Sequence, residues 1–185
     1  MIGIARTMTV AAIVAALATG CSVAPTLASQ EPSATLTQGG LCDSLLDFFG
    51  NELSAVGLTS VPIIDPNETI SPSGICTVIN SESQRANGRV SLRNAPNVPD
   101  PTEGVVGFRK STEPNDPVWI QDMRTDAKNP GTEVVLATRI GEWNGQLRIT
   151  DSETRTKSGV LHLTDEDIHK AARFLIDLTR KVSEA

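Results

Sequence analysis

The stretch "EVVLATRIGEWNGQLRIT", residues 133–150, decides the architecture. It reads as two strands, "EVVLATRI" and "QLRIT", joined through "GEWNG", where Asn144-Gly145 favours a tight hairpin turn. Working upstream, "RVSLR" alternates Val90 and Leu92 against Arg89, Ser91 and Arg93, and "ICTVIN" puts Cys76 and Val78 on one face. "GVVGF" and "VWIQDM" read as further strands flanking the polar "STEPNDP", while "VPIIDPNETISPSG" is a Pro-interrupted loop. "GVLHL" adds a last strand. Alternation of period two gives a sheet with one buried and one wet face.

Helices must cover the buried face. In "LCDSLLDFFGNELSAVG", Leu45, Phe49, Leu53 and Val56 form one helical stripe, with Cys42 facing the same way one turn earlier. Gly50 costs about 1 kcal/mol relative to Ala and marks a break point, and Gly57 is the stop. At the other end, Thr164 caps a longer helix and Asp167 completes a capping box, with Asp165 and Glu166 opposing the dipole. Ile168, Ala171, Ala172, Leu175, Thr179 and Val182 then follow helical spacing, widened by Phe174 and Leu178. The expected fold is α+β: a mostly antiparallel sheet of five to seven strands, with an N-terminal and a C-terminal helix covering one face. Residues 40–185 form this single domain.

The first 39 residues are of another kind. Arg6 is the only charge before Glu31, and a short apolar run leads to "ALATGC" at 16–21. A positive start, apolar middle and small-residue exit is the layout of a secretory signal, assigned to residues 1–20. A bilayer span needs roughly 20 apolar residues, and this run is shorter. Ala18-Thr19-Gly20-Cys21 resembles the bacterial lipobox, in which cleavage precedes a cysteine whose thiol receives diacylglycerol. That resemblance makes Cys21 the lipidation site. Two or more acyl chains, palmitate among them, would make the anchor durable. Residues 21–39, rich in Ser, Thr, Ala, Pro and Gln, read as a disordered tether.

Three cysteines are odd in number, but lipidation consumes Cys21 and leaves Cys42 and Cys76. In an oxidising envelope that pair is a structural disulfide, since no Cys-x-x-Cys or neighbouring histidine favours a metal or redox role. Lys and Arg total 16 against 22 Asp and Glu, a net charge of −6. That balance argues against nucleic acid and against polybasic docking to anionic lipid.

Lipobox, Ser/Thr/Pro tether, "LCDSLLDFF", "SGICTVIN" and a strand-rich body ending in a helix together resemble actinobacterial envelope lipoproteins. The chain is similar in layout to the family built on domain of unknown function 3558, from about residue 40 to the end. Its signature is a helix-borne Cys42 and a strand-borne Cys76, although Val78 stands where the family often has an aromatic. A related likeness is to mycobacterial lipoproteins with a PsbP-like sheet-and-helix fold. Neither resemblance implies catalytic residues.

Chemistry-bearing clusters are few. In "HLTDEDIH", Asp165 or Glu166 with His169 has the spacing of two metal ligands on one helical face. The plainer reading has the acids serving the helix N-terminus and both His162 and His169 exposed; no metal ligand or cofactor is assigned. "DPNETI" alternates Asp65, Asn67 and Thr69 like a calcium loop, but Ile70 and Cys76 occupy the places that need glycine and glutamate, so it is a turn. No Gly-x-Ser-x-Gly or Ser-x-x-Lys occurs, and no catalytic residue is assigned. A strand aromatic belongs in a core, which assigns Trp119 there and leaves Trp143, at the hairpin tip, open between core and a contact surface.

The expected protein is therefore a lipoprotein held by Cys21 on the extracytoplasmic face of the cell membrane. It is expected to bind an envelope lipid, glycan or small molecule between sheet and helices rather than to be an enzyme. The alternative is a non-catalytic accessory protein for a membrane enzyme, transporter or secretion complex. No motif names the ligand or the partner.

Overall fold

Alternating side chains build the sheet. The computed structural model describes residues 35–111, 117–125, 132–152 and 154–185. The signal segment, Cys21 and the tether up to residue 34 lie outside them. Seven strands form one sheet: β1 (Leu58–Pro62), β2 (Ser73–Asn80), β3 (Ala86–Asn94), β4 (Arg109–Ser111), β5 (Val118–Asp122), β6 (Glu133–Ile140) and β7 (Trp143–Thr150). Their order is β1-β2-β3-β7-β6-β5-β4, and every neighbouring pair is antiparallel. Cys76 and Val78, Val90 and Leu92, Leu147 and Ile149, and Val134 and Leu136 are buried on one face.

That face meets two helices, α1 (Gln38–Asp47) and α2 (Asp165–Ser183). α1 lies over β1 and β2, and α2 over β6 and β7. Phe48 joins the two, stacked on Phe174 with ring centroids 4.5 Å apart and edge-on to Phe49 at 5.9 Å. Two strand glycines let the layers close. A Cβ on Gly88 would stand 2.2 Å from Phe49 Cζ, and one on Gly145 would stand 2.2 Å from Thr179 Oγ1. Helix side chains therefore rest on bare sheet backbone at both points. Thr164 and Asp167 form the capping box of α2, as their spacing predicts.

The structure corrects several expectations. The hairpin joining β6 and β7 turns at Gly141-Glu142, not at Asn144-Gly145, because Ile140 pairs with Trp143. Gly141 has φ +58°, the conformation a type II′ turn asks of its first central residue. Gly145 instead lies inside β7, where Thr179 needs the space. α1 opens at Gln38, two residues within the segment read as tether, and Leu36 is already buried. The helix ends at Asp47 in a π-helical turn (Phe48–Glu52), so Val56 falls beyond the stripe and is exposed. "GVVGF" forms no strand, and "GVLHL" supplies only β9 (Gly159–Val160), paired with β8 (Arg155–Thr156) in a separate ribbon. The supposed loop contributes the end of β1, where Pro62 is tolerated because the strand is an edge.

Cys42 of α1 and Cys76 of β2 are bridged, with their Cα atoms 5.3 Å apart. One turn before Cys42, Gln38 is 1% exposed and makes a second link. Its Nε2 donates to the Ser73 carbonyl at 2.9 Å, and its Oε1 accepts from the Ile75 amide at 3.2 Å. The last β1 residue pairs with Cys76, so the side-chain amide continues the ladder where β1 has stopped. Replacing Gln38→Leu keeps the volume and orphans both backbone groups. Denaturant melts should show a loss of about 2 to 4 kcal/mol, since each buried unpaired group costs about 1 to 3 kcal/mol.

At the far edge, Asp122 accepts from Arg124 Nε at 2.9 Å and Nη2 at 2.7 Å, while Arg124 Nη1 donates to the Leu163 carbonyl. The clamp ties the end of β5 to the approach of α2. The Arg124 hydrogen bond holds the Asp122 carboxyl below its ordinary 3.8, against the opposing effect of burial. Its contribution to stability is thus complete above that unfolded value and is lost as pH falls through the lower folded one. Thermal melts across pH 2 to 5, a range bracketing the free carboxylate value of about 3.9, should be less pH-dependent in Asp122→Asn than in the parent. An unchanged profile refutes the clamp.

Candidate functional site

The second face of the sheet carries neither helix. Cross-strand register sets its side chains in rows. One row runs Thr77, Arg89, Arg148, Val135 and Gln121; the next runs Ile75, Ser91, Gln146, Ala137, Trp119 and Lys110. A third contains Ser73, Arg93, Asn144 and Arg139. Among the described strand residues on this face, Glu133 is the only acid against four arginines and Lys110. A chain of net charge −6 thus gathers positive charge on one side of its sheet.

The face is divided in two. The connection between β3 and β4, residues 95–108, forms a strap fastened over β5, β6 and the first part of β7. Arg139 Nη1 donates to the carbonyls of Ala95 at 3.0 Å and Val98 at 2.6 Å, and to Asn144 Oδ1 at 2.9 Å. Asn144 Nδ2 also donates to the Val98 carbonyl, and Gln121 Nε2 to that of Val106. On this half Val135 and Ala137 are only 2% and 0% exposed although no helix lies above them.

The other half stays open as a hollow of about 430 Å³, lined by strand residues of β2, β3 and β7. Its polar lining is Thr77, Arg89, Ser91, Gln146, Arg148 and Thr150, with Ile75, Ala86 and Gly88 as its apolar part. A β-bulge shapes one end: Val78 pairs with Gly88 and Ile79 with Ala86, leaving Asn87 as the extra residue. Arg89 and Arg148 face each other directly across β3 and β7. Arg148 Nε lies 3.0 Å from Glu133 Oε1, and its side chain remains 52% exposed. Arg89 makes no ion pair with a described residue, and the hydroxyls of Thr77, Ser91 and Thr150 and the Gln146 amide are likewise uncommitted among the described residues. A volume of a few hundred Å³ with a few convergent polar groups is the form of a small-ligand site.

The residues singled out by sequence fall elsewhere. Cys42 and Cys76 belong to the core, and Cys21 lies outside the described residues. His162 and His169 are both exposed, and Asp167 is committed to the α2 cap. Among the described residues no cluster of three or more His, Cys, Asp or Glu is arranged to hold a metal. Asp65 accepts from the Asn67 amide in a local turn. Of the tryptophans, Trp143 is 9% exposed in the core, while Trp119, expected in the core, lies on the helix-free face with Lys110 Nζ 5.6 Å from its ring centroid. The layer between sheet and helices, where a ligand was expected, is filled by Leu41, Leu45, Phe49 and Leu175. Sequence reasoning missed the open face, although the wet half of "RVSLR" already held Arg89, Ser91 and Arg93.

Comparison of the chain with protein-family models, with curated proteins and with solved structures finds no match.

The fastening of the strap is directly testable. Arg139→Ala removes two of its hydrogen bonds, those to the Ala95 and Val98 carbonyls, so a glutamyl endopeptidase should cut at Glu103 several-fold faster in the variant. Equal cleavage rates would mean that Arg139 does not hold it.

Proposed function

We propose that this protein is an extracytoplasmic lipoprotein, anchored to the membrane through Cys21, whose domain binds a small molecule, glycan or lipid headgroup in the open hollow of its sheet. The observation that carries the reading is the hollow itself. It is built from paired central strands, has about 430 Å³ of space and is ringed by polar side chains, of which Thr77, Arg89, Ser91, Gln146 and Thr150 have no side-chain partner among the described residues. A site on paired strands is pre-organised, so little ordering entropy opposes binding. The lipobox and the layout resembling actinobacterial envelope lipoproteins support the anchored location. No helix among the described residues is long and apolar enough to cross a membrane. The accessory reading has its own support in Val105 and Val106, exposed side by side on the strap at 51% and 87%.

Native purification from the cell envelope followed by intact and denaturing mass spectrometry tests the binding reading. It should return a chain beginning at a diacylated Cys21 and a small molecule released on unfolding. A mature chain that starts elsewhere with an unmodified thiol removes the anchor. A chain that retains nothing, and whose β3 and β7 amides exchange no more slowly when envelope extract is added, removes the binding role.

A further inference from the structure

We infer that the hollow is an anion site, in which Arg89 and Arg148 together take a phosphate or carboxylate group; this rests on the reading of the helix-free face as the ligand face. Residues directly opposite on antiparallel strands have Cβ atoms about 4.5 to 5.5 Å apart, and like charges in that position destabilise the sheet. Arg89 and Arg148 occupy such a pair in the middle of the sheet. Among the described residues the repulsion is relieved on one side only, through Glu133 at 3.0 Å from Arg148. Arg89 has no acid beside it among the described residues, although acids outnumber bases in the chain by 22 to 16. A bound anion supplies the missing countercharge.

The remaining lining agrees in chemistry. Thr77, Ser91 and Thr150 offer hydroxyl donors and Gln146 an amide donor around the two guanidinium forks, and no described residue of the lining is a carboxylate. Arginine presents paired N–H groups whose geometry matches the oxygens of phosphate and carboxylate. Ile75 and Ala86 provide apolar contact for a short organic portion attached to the anion. Glu133 is an internal competitor, since it is already ion-paired with Arg148. Two sources share this chemistry: a free small anion and the headgroup of an anionic lipid.

The purified protein is titrated with inorganic phosphate and with glycerol 3-phosphate while the arginine Nε–H and backbone amide NMR signals are followed. Co-sedimentation is measured in parallel with phosphatidylcholine vesicles with and without phosphatidylglycerol. The signals of Arg89 and Arg148 should shift together, and the affinity should fall as salt is raised. Arg89→Gln and Arg148→Gln should each weaken binding by about tenfold to a hundredfold, the range for losing one charge-assisted hydrogen-bonding group. Glu133→Gln should strengthen it, a gain that a merely structural ion pair would not produce. Unchanged amide spectra away from the hollow establish that the variants are folded. Sedimentation only with phosphatidylglycerol vesicles, lost in both arginine variants, assigns a headgroup; a response to the soluble phosphates without sedimentation assigns a free anion. Signals unmoved by all three probes, or variants that bind like the parent, overturn the anion site. A native ligand retained equally by the parent and by the double variant also overturns it while leaving the binding role intact. Phosphate bound through both arginines in a protein that retains no native ligand has the opposite consequence.

Discussion

The junction between α1 and β2 holds the rest of the structure in register. Cys42 and Cys76 fix one point of contact, and the Gln38 side-chain amide fixes another by completing the ladder that β1 leaves unfinished. In the chain-entropy account, closing a loop of 34 residues contributes about 3 to 4 kcal/mol. The junction does more than add stability. It sets the start of β2 against α1, and β2 in turn aligns β3, whose glycine at 88 must sit beneath Phe49. Phe48 then carries the alignment to α2 through Phe174. The helix-covered side is thus one connected set of contacts, and it leaves the opposite side free to be polar.

Much of this organisation was legible from residue order. Period-two alternation in "ICTVIN", "RVSLR" and "QLRIT" identified the buried face, and the capping box at Thr164 and Asp167 identified the start of α2. The misses have physical causes. Asn-Gly is a strong turn former in isolation, but the close approach of Thr179 to Gly145 and the pairing of Trp143 with Asn94 hold that dipeptide inside a strand. "GVVGF" has the composition of a strand, yet Gly104 and Gly107 take positive φ and the segment crosses the sheet instead of joining it. Gln38 looked like tether because its neighbours are polar. Only the position of Ser73 and Ile75 in space reveals that its amide has two backbone partners.

The candidate site was legible only in fragments. Arg89, Ser91, Gln146 and Arg148 were all on wet faces by alternation, but nothing in the linear order brings β3 beside β7, which lie about fifty residues apart. Strand order made the arginines neighbours. Histidines, cysteines and tryptophans are the residue types that announce chemistry by themselves. Here the distinctive feature is an arrangement of ordinary surface residues. The strap reinforces the contrast between the two halves of the face: Arg139, two rows away, spends its donors on backbone carbonyls, whereas Arg89 keeps its own available.

The margins of the sheet have a consequence for life in a crowd. The outermost strands are short: β1 ends in Pro62, which offers no amide, and the three residues of β4 include Arg109 and Lys110. An approaching copy finds few vacant hydrogen-bonding groups on either flank and meets charge on one of them. Chains packed densely on a surface would therefore stay individually folded instead of merging into extended β ribbons, and each would keep its own hollow accessible.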